Sequence, residues 1–547
     1  MAGAISHTTP PSPSIGIGYR YGIDGWIRAN LARFDVLEIT LDHCLTADRS
    51  ARHAIFDLVG QIPLTAHGIG LSIGTDVPLD LAYLDVVAAL LDRLGAPAYS
   101  EHLAFTRVPG RDLGNLLPLP RTHAVAESII AKIETVRSRI SIPFLLENIT
   151  YIFDWPDSEL TDAEFLTLIC RETGAGLLLD LENLYLNGSN QGFDAHAFLD
   201  ALPTGLVREI HLAGGKAVSE DFLRRPLLVD THSDPVPEEV LALLDRTLVL
   251  QAPATIVLER DDRLDVVDEI LNDVVAIRAR VGAGFGPPIP PRRGETGRRP
   301  LFSPPVSSMR NPLIERQASL LGYLTGGDAI FGEDDLSVSC FGIDRGLLHL
   351  EAKFSHQKRM EKIKAVLPRT LDHMGSRREA IVRDLAAACP PTGIGRLENA
   401  RQFYAFLLAR WREEAPEPPY LPDLAAFEIA YAAVQTMPNE GSQCAPVAPP
   451  GAVRRHPAVV LLRSVYDIRP ILEQESTEAV LERREICLAF TMPGDSARPV
   501  VQALLPELFA LLDLLDHFAP REVFDDMPDA DAMIDDLAAS GLVEVRR

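Results

Sequence analysis

Residues 176–183 read GLLLDLEN, an apolar run from Gly176 to Leu179 that meets Asp180, Glu182 and Asn183. A run this short, closed by polar residues, reads as a buried strand rather than a helix. The same figure recurs in PFLLENIT (143–150), LVREIHLAGG (206–215) and PATIVLERDD (253–262). Strand after strand therefore ends in carboxylate, amide or imidazole groups.

Working outward, eight strand candidates appear: 15–19, 36–40, 64–68, 99–103, 144–148, 176–180, 209–213 and 255–260. Amphipathic stretches such as LDLAYLDVVAALLDRLG (79–95) and TDAEFLTLICRETG (161–174) lie between most of them. Strands apolar on both faces and separated by helices predict a parallel sheet covered by helices. Eight such units over residues 15–282 match a closed (β/α)8 TIM barrel in size. An open doubly wound sheet is the alternative, but no G-x-G-x-x-G opens a helix here.

Residues 1–14 read as a flexible N-terminus, and the Pro/Gly/Arg-rich stretch 283–312 as an interdomain linker. Residues 313–547 change character and predict a mostly helical α+β second domain. Helices are expected over 398–415, 421–437 and 500–518, strands over 336–343 and 484–492, and helix, turn and short strand over 530–547.

The totals narrow the function. A chain of 547 residues is expected to form two or three domains. A net charge of −25 argues against a nucleic-acid partner, because no broad basic face neutralises phosphates. The one basic cluster, 290–300, falls in the linker. No apolar run is long enough to span a membrane, and the N-terminus lacks the features of a secretory signal, so a cytoplasmic location is expected. The six cysteines, Cys44, Cys170, Cys340, Cys389, Cys444 and Cys487, form no C-x-x-C pair and predict reduced thiols rather than a disulfide framework or zinc site.

In a (β/α)8 barrel the strand C-termini converge on the face that carries the active site. Here that face would collect Glu38, His67, Glu101, His102, Glu147, Asn148, Asp180, Asn183, His211 and Glu259, with Asp230 and His232 supplied by LLVDTHSDPV (227–236). Taken singly, His67 reads as a hydrogen-bonded structural histidine and Glu147 or Asp180 as an ion-pair or capping residue. Glu38 and Glu101 read as groups that orient a neighbour, and Asn148 and Asn183 as turn formers. Together, four histidines and several carboxylates at one mouth would repel and desolvate one another unless cations held them. A mixed imidazole and carboxylate shell without thiolate suits Fe, Mn or Zn, and its size suits more than one ion. The histidines at 7, 53, 123, 196, 349, 356, 373, 456 and 517 are expected at the surface.

The segments AHGIGLSIGT, SEHLAF, LLPLPRT, LLENITYIF, GAGLLLDLENLYLN, GFDAHAFLDALP, EIHLAGG, DTHSDPV and VLERD, in this order, resemble the multinuclear non-haem iron-dependent oxidative family, which includes the iron oxidase of methanobactin biosynthesis. The resemblance covers roughly residues 15–280. It implies a xylose-isomerase-like barrel, two or three irons of mixed valence (Fe2+/Fe3+), and O2-dependent modification of a ribosomally made precursor peptide, often at cysteine. The metal shell it implies is His67, His102, Glu147, Asp180, His211, Asp230, His232 and Glu259. Glu147, Asp180 and His211 would be the catalytic core, with Glu147 as the bridge, and Asn148, Asn183 and Glu101 would form a second tier. Three positions depart from the family pattern: Gly215 stands where histidine is usual, Glu182 where asparagine is, and Arg260 where tryptophan is. These departures leave the third iron open.

More distantly, PYLPDLAAFEIAYAAV, RRHPAVVLLRSVYDI and MIDDLAASGLVEV resemble the small partner proteins of these oxidases, the last being similar to a winged-helix end. The resemblance implies a fused precursor-recognition module, so that no separate partner subunit is expected. Trp411, Tyr420 and Glu428 read as core or cap residues of that module. A divalent-metal sugar isomerase and a non-catalytic binding scaffold are the alternative readings.

Overall fold

The computed structural model describes residues 12–46, 49–223, 225–282, 312–334, 339–437, 449–473, 481–492, 498–524 and 529–546. The expected linker core, residues 283–311, and residues 1–11 lie outside the described residues, as does Cys444. The chain divides into two compact units, the first holding residues 1–45, 54–324 and 328–354, the second residues 46–53, 325–327 and 355–547.

The first unit is built on a closed parallel barrel of eight strands: β1 (Ser14–Gly18), β2 (Val36–Thr40), β3 (Leu64–Gly68), β4 (Tyr99–His102), β5 (Phe144–Glu147), β6 (Gly176–Asp180), β7 (Val207–Leu212) and β8 (Thr255–Leu258). Each strand pairs with its sequence neighbour and β8 closes on β1, Ile15 opposite Ile256. Strands β2 and β3 are buried at every position, as a sheet sealed on both faces requires. Helices follow with their ends marked in the sequence. Thr161 and Glu164 form a reciprocal capping box at the start of Asp162–Thr173, and Asp80 caps Leu81–Leu94. Asp180 caps Leu181–Gln191, so one residue ends a strand and starts a helix.

The register of the barrel sets the functional end. His67 lies opposite Ser100, His102 opposite Glu147, and Asp180 opposite His211. Side chains at the same level of adjacent parallel strands meet, so these pairs are neighbours by construction.

Residues 313–324 and 328–354, although they follow the expected linker, belong to the barrel's unit. They pack on the loops that leave the strand C-termini. Gln317 donates to the Gly74 carbonyl (2.8 Å) and accepts from the Asp76 amide (2.9 Å). Arg316 pairs with Asp157 and lies over the Trp155 ring. Glu351 accepts from Asn115, and Lys353 donates to Glu220 at 2.6 Å. These are the loops after β3, β4, β5 and β7, so the segment covers part of the barrel mouth.

The second unit is mainly helical, with helices at Arg396–Glu413 and Leu421–Thr436 packed in one core. A three-stranded antiparallel sheet, Val460–Tyr466, Arg483–Thr491 and Val500–Leu504, packs on Leu421–Thr436. Helix Ala530–Ala539 turns at Gly541 into strand Val543–Val545, which pairs with Val453–Arg455. Trp411 and Tyr420 pack in these cores, and Glu428 caps the helix Pro368–His373 by accepting from the Arg369 and Thr370 amides.

Two expectations fail in the part of the chain after residue 312. Residues 500–518 are not one helix: Val500–Leu504 pairs with Arg483–Thr491, and the helix begins only at Pro506. The β-branched pair Val500–Val501 favours the strand, and proline fits the first turn of a helix but not its interior. His349, His356 and His373 are buried rather than exposed. His349 donates to the Ala329 carbonyl (2.6 Å) and His373 hydrogen-bonds the Tyr420 hydroxyl (3.0 Å), which meets the cost of burial.

Candidate metal centre

Among the described residues there are four groups of potential ligand atoms, Glu38, Glu209 and His211 forming one, and the other three gather at the C-terminal mouth. The first is His67, His102 and Glu147; the second Glu147, Asp180, His211 and Glu259; the third Glu182, Asp230 and His232. Within each, the ligand atoms lie no more than 4.8 Å apart. All eight residues of the expected metal shell fall in these groups, and Glu182 joins them.

Glu147 belongs to two groups. Its Oε2 sits 3.3 Å from His67 Nε2 and 3.2 Å from His102 Nε2, while its Oε1 sits 3.4 Å from His211 Nδ1. Burial pushes the carboxyl up, but the three surrounding imidazoles outweigh it and hold it down at about 2. Glu259 is likewise held well below the usual range: burial opposes this, and His211 and His232 prevail.

The outer nitrogens of three histidines are tied down. His67 Nδ1 meets Ser100 Oγ at 2.9 Å, His211 Nε2 meets Glu38 Oε2 at 2.9 Å, and His232 Nδ1 meets Asp261 Oδ2 at 3.1 Å. A carboxylate or hydroxyl on the outer nitrogen fixes ring orientation and presents the other nitrogen inward, the usual arrangement around a metal-ligating histidine. Glu38 and Glu209 flank His211 together, Glu209 lying two residues before it on the same face of β7. Asp261 is gripped by Arg20, whose Nε lies 2.6 Å from it. His232 takes a left-handed backbone (φ 47°), a conformation uncommon outside glycine and often kept at functional positions.

The chemistry of the donors tests whether a metal fits. Glu147 Oε2, Asp180 Oδ2, both Glu182 oxygens, His211 Nδ1, Asp230 Oδ1 and His232 Nε2 are buried without a hydrogen-bond partner. Asp230 Oδ1 and His232 Nε2 are only 2.7 Å apart. Without a metal, imidazole and carboxylate pair with one another here, and a cation between them would take over those contacts. With side chains alone, two of the carboxylates resist ionising: burial and then Glu147 push Asp180 well up, and burial and then Asp230 push Glu182 to about 9. Cations at the foci would reverse both effects, since unpaired buried charge costs several kcal/mol per ion. The residues fit metal ions of the kind that accept nitrogen and oxygen ligands.

The second tier has other work. Asn148 pairs with the backbone of Asp180 in both directions, its Nδ2 donating to the carbonyl (2.9 Å) and its Oδ1 accepting from the amide (3.0 Å). Asn183 donates its amide N–H to Asp180 Oδ1 (2.6 Å) and its side chain to the Asn148 carbonyl (3.0 Å). Both asparagines position Asp180, whose Oδ1 caps the helix while Oδ2 stays free. Glu101 lies outside the three ligand groups; its Oε1 accepts from Tyr99 (2.8 Å) and the Leu71 amide, and burial, then nearby Asp42, pushes it to about 8. Arg260 is buried and ties the loop after His232 to the last barrel helix, donating to the Ser233 carbonyl (2.9 Å) and Asp273 (2.8 Å).

Sequence reasoning missed Glu209, Asp261 and Arg20. Glu209 was marked only by its spacing from His211, and Asp261 by its place in ERDD; Arg20 carried no signal.

Fold and donor set together define a (β/α)8 barrel whose mouth carries buried His, Glu and Asp groups that could hold metal ions. Residues 14–281 match the family described as RiPP precursor modification enzyme MbnB/TglH/ChrH, and the chain belongs to that family. Over 278 residues it is 31% identical to the UPF0276 protein of Caulobacter vibrioides, covering 51% of this chain and 97% of that one. It is 37% identical over 222 residues to a UPF0276 protein of Bordetella parapertussis, covering 41% and 76%. Among solved structures, a xylose isomerase domain protein from Planctomyces limnophilus is 15% identical over 50% of this chain and 100% of that one, with a TM-score of 0.34.

Proposed function

We propose that the barrel is a multinuclear iron-dependent oxidase acting on a ribosomally synthesised precursor peptide, using O2 and modifying a cysteine. The observation that carries this reading is Glu147, one buried carboxylate whose two oxygens face two separate imidazole groups. Such a carboxylate would serve both neighbouring ligand groups at once. His67 and His102 would hold one iron and Asp180, His211 and Glu259 the other. Bound there, the iron pair would supply oxidising equivalents from O2 and a Lewis-acid position for a thiolate.

The chain's own residues prepare that chemistry. Glu38 keeps the His211 Nε2 proton occupied, so Nδ1 stays a ligand. Asn148 and Asn183 lock Asp180 so that Oδ2 points inward. Residues 313–324 and 339–354 contact several mouth loops and would restrict water and substrate to a narrower approach. We assign peptide recognition to the second unit, with cytoplasmic location and no separate partner subunit as corollaries. Among the described residues no helix is long and apolar enough to cross a membrane.

The test is metal analysis and turnover of wild type and Glu147→Ala with the peptide encoded nearby. Wild type is expected to contain iron and to oxidise the peptide in air, and Glu147→Ala to lose turnover and the iron held by the two groups that share Glu147. A variant that keeps full iron and turnover contradicts the bridge, and a wild type loaded with manganese or magnesium and inert to O2 contradicts the oxidase.

A further inference from the structure

Two sequence motifs, LLPLPRT (116–122) and GFDAHAF (192–198), supply no ligand to the metal centre. The structure brings them together around a pocket of about 40 Å3. Its apolar wall includes Leu103, Leu119, Ile149, Phe165, Leu166 and Leu184, all buried. Phe193 and Phe198 of the second motif close one side.

The polar side chains on this wall are already answered by the protein. Arg121 donates to both oxygens of Asp154 (3.0 and 2.6 Å) and to the Leu160 carbonyl (3.0 Å). The Tyr151 hydroxyl donates to Asp162 (2.8 Å). Asn187 accepts from the Tyr151 amide (3.0 Å) and donates to the Ile149 carbonyl (2.8 Å). Asn148 has both ends on the Asp180 backbone. A polar or charged solute entering the pocket would lose its hydration and gain nothing in return. Size narrows the occupant further. An apolar cavity of about 150 Å3 takes benzene or xenon, and this one is roughly a quarter of that, so a ring is excluded and a diatomic molecule or a single noble-gas atom fits.

The pocket also backs the residues of the metal centre. Leu103 directly follows His102, and its amide donates to the Glu147 carbonyl (2.9 Å). Asn148 directly follows Glu147, and Leu184 lies in the first turn of the helix that Asp180 caps. We propose that this pocket is a docking place for molecular oxygen, an uncharged apolar diatomic, which it holds beside the Glu147 groups ahead of reaction. The role rests on the oxidase reading above, but the pocket's preference for a small apolar solute is a property of its wall and can be read by itself.

The experiment is diffraction from crystals of the full, iron-loaded chain under xenon pressure, with the O2 dependence of peptide oxidation measured on the same proteins. Wild type is expected to show an anomalous xenon peak between Leu119, Phe165 and Leu166. Dissolved xenon is expected to compete with O2 in wild type, raising its apparent KM several-fold without changing kcat. Leu166→Phe, which fills the pocket, is expected to lose the xenon peak and raise the KM for O2 several-fold, with kcat at saturating O2 and iron content unchanged. The xenon competition needs no variant, so it decides the matter even if Leu166→Phe does not fold. No xenon in the pocket, or xenon bound there with no effect on the KM for O2, overturns the proposal and leaves the oxidase standing. A wild type that consumes no O2 with the peptide overturns the oxidase and this role of the pocket with it, whatever xenon does.

Discussion

Buried polar side chains are treated differently in the two units. In the second unit several are answered by the protein. Glu428 accepts from two backbone amides and the Thr370 hydroxyl, and Arg359 donates to the Cys389 carbonyl, Gln402 and Asn399. Asn399 in turn donates to the Gly393 and Gly395 carbonyls. At the barrel mouth the inward atoms of Glu147, Asp180, Glu182, Asp230, His211 and His232 have no such partner, although their outward atoms are carefully held. Satisfied groups fix a structure, whereas unsatisfied groups held in place mark a site that something else completes.

The largest expected effect follows directly. Stripping metal from the loaded protein should destabilise the barrel and leave the second unit unmoved, by about 4 kcal/mol if ions were present at a thousandfold over their dissociation constant. Calorimetry would read this as a fall in one of two transitions, and an equal fall in both, or in neither, would break the comparison. Next, Glu428→Ala should cost roughly 2–3 kcal/mol, because it orphans buried amides. It should leave metal content unchanged, which chemical denaturation and metal analysis check.

The opposite sign is expected at the mouth. Asp180→Asn keeps a helix cap but removes an anion disfavoured by burial and by Glu147, so metal-free protein should gain about 1 kcal/mol while metal binding falls. Destabilisation of the metal-free variant would show that Asp180 is a structural group like Glu428. The smallest effect belongs to the cover of the mouth. Gln317→Ala should cost about 1 kcal/mol and speed hydrogen exchange at residues 74–76, since it frees one amide and one carbonyl. Unchanged exchange there would mean that the segment does not hold the loop.

Much of this was legible in the sequence, for a physical reason. In a parallel barrel, short apolar runs set the strands and their last residues set the mouth, so local patterns placed His67, His102, Glu147, Asp180, His211 and Glu259 on one face. What was not legible depends on contacts distant in sequence. Gln317 meets Gly74, and Arg20 meets Asp261, with no local signal for either. Glu182 registered only as a departure, because the groups it joins, Asp230 and His232, lie far along the chain. Residues 500–504 followed the strand they pair with rather than the helical pattern of the residues after them.

The most direct test is anomalous diffraction at the iron absorption edge from crystals of anaerobically loaded protein. The account predicts two peaks flanking Glu147, one near His67 and His102 and one near Asp180, His211 and Glu259. A single peak away from Glu147, or none while the loaded protein holds iron, would contradict it.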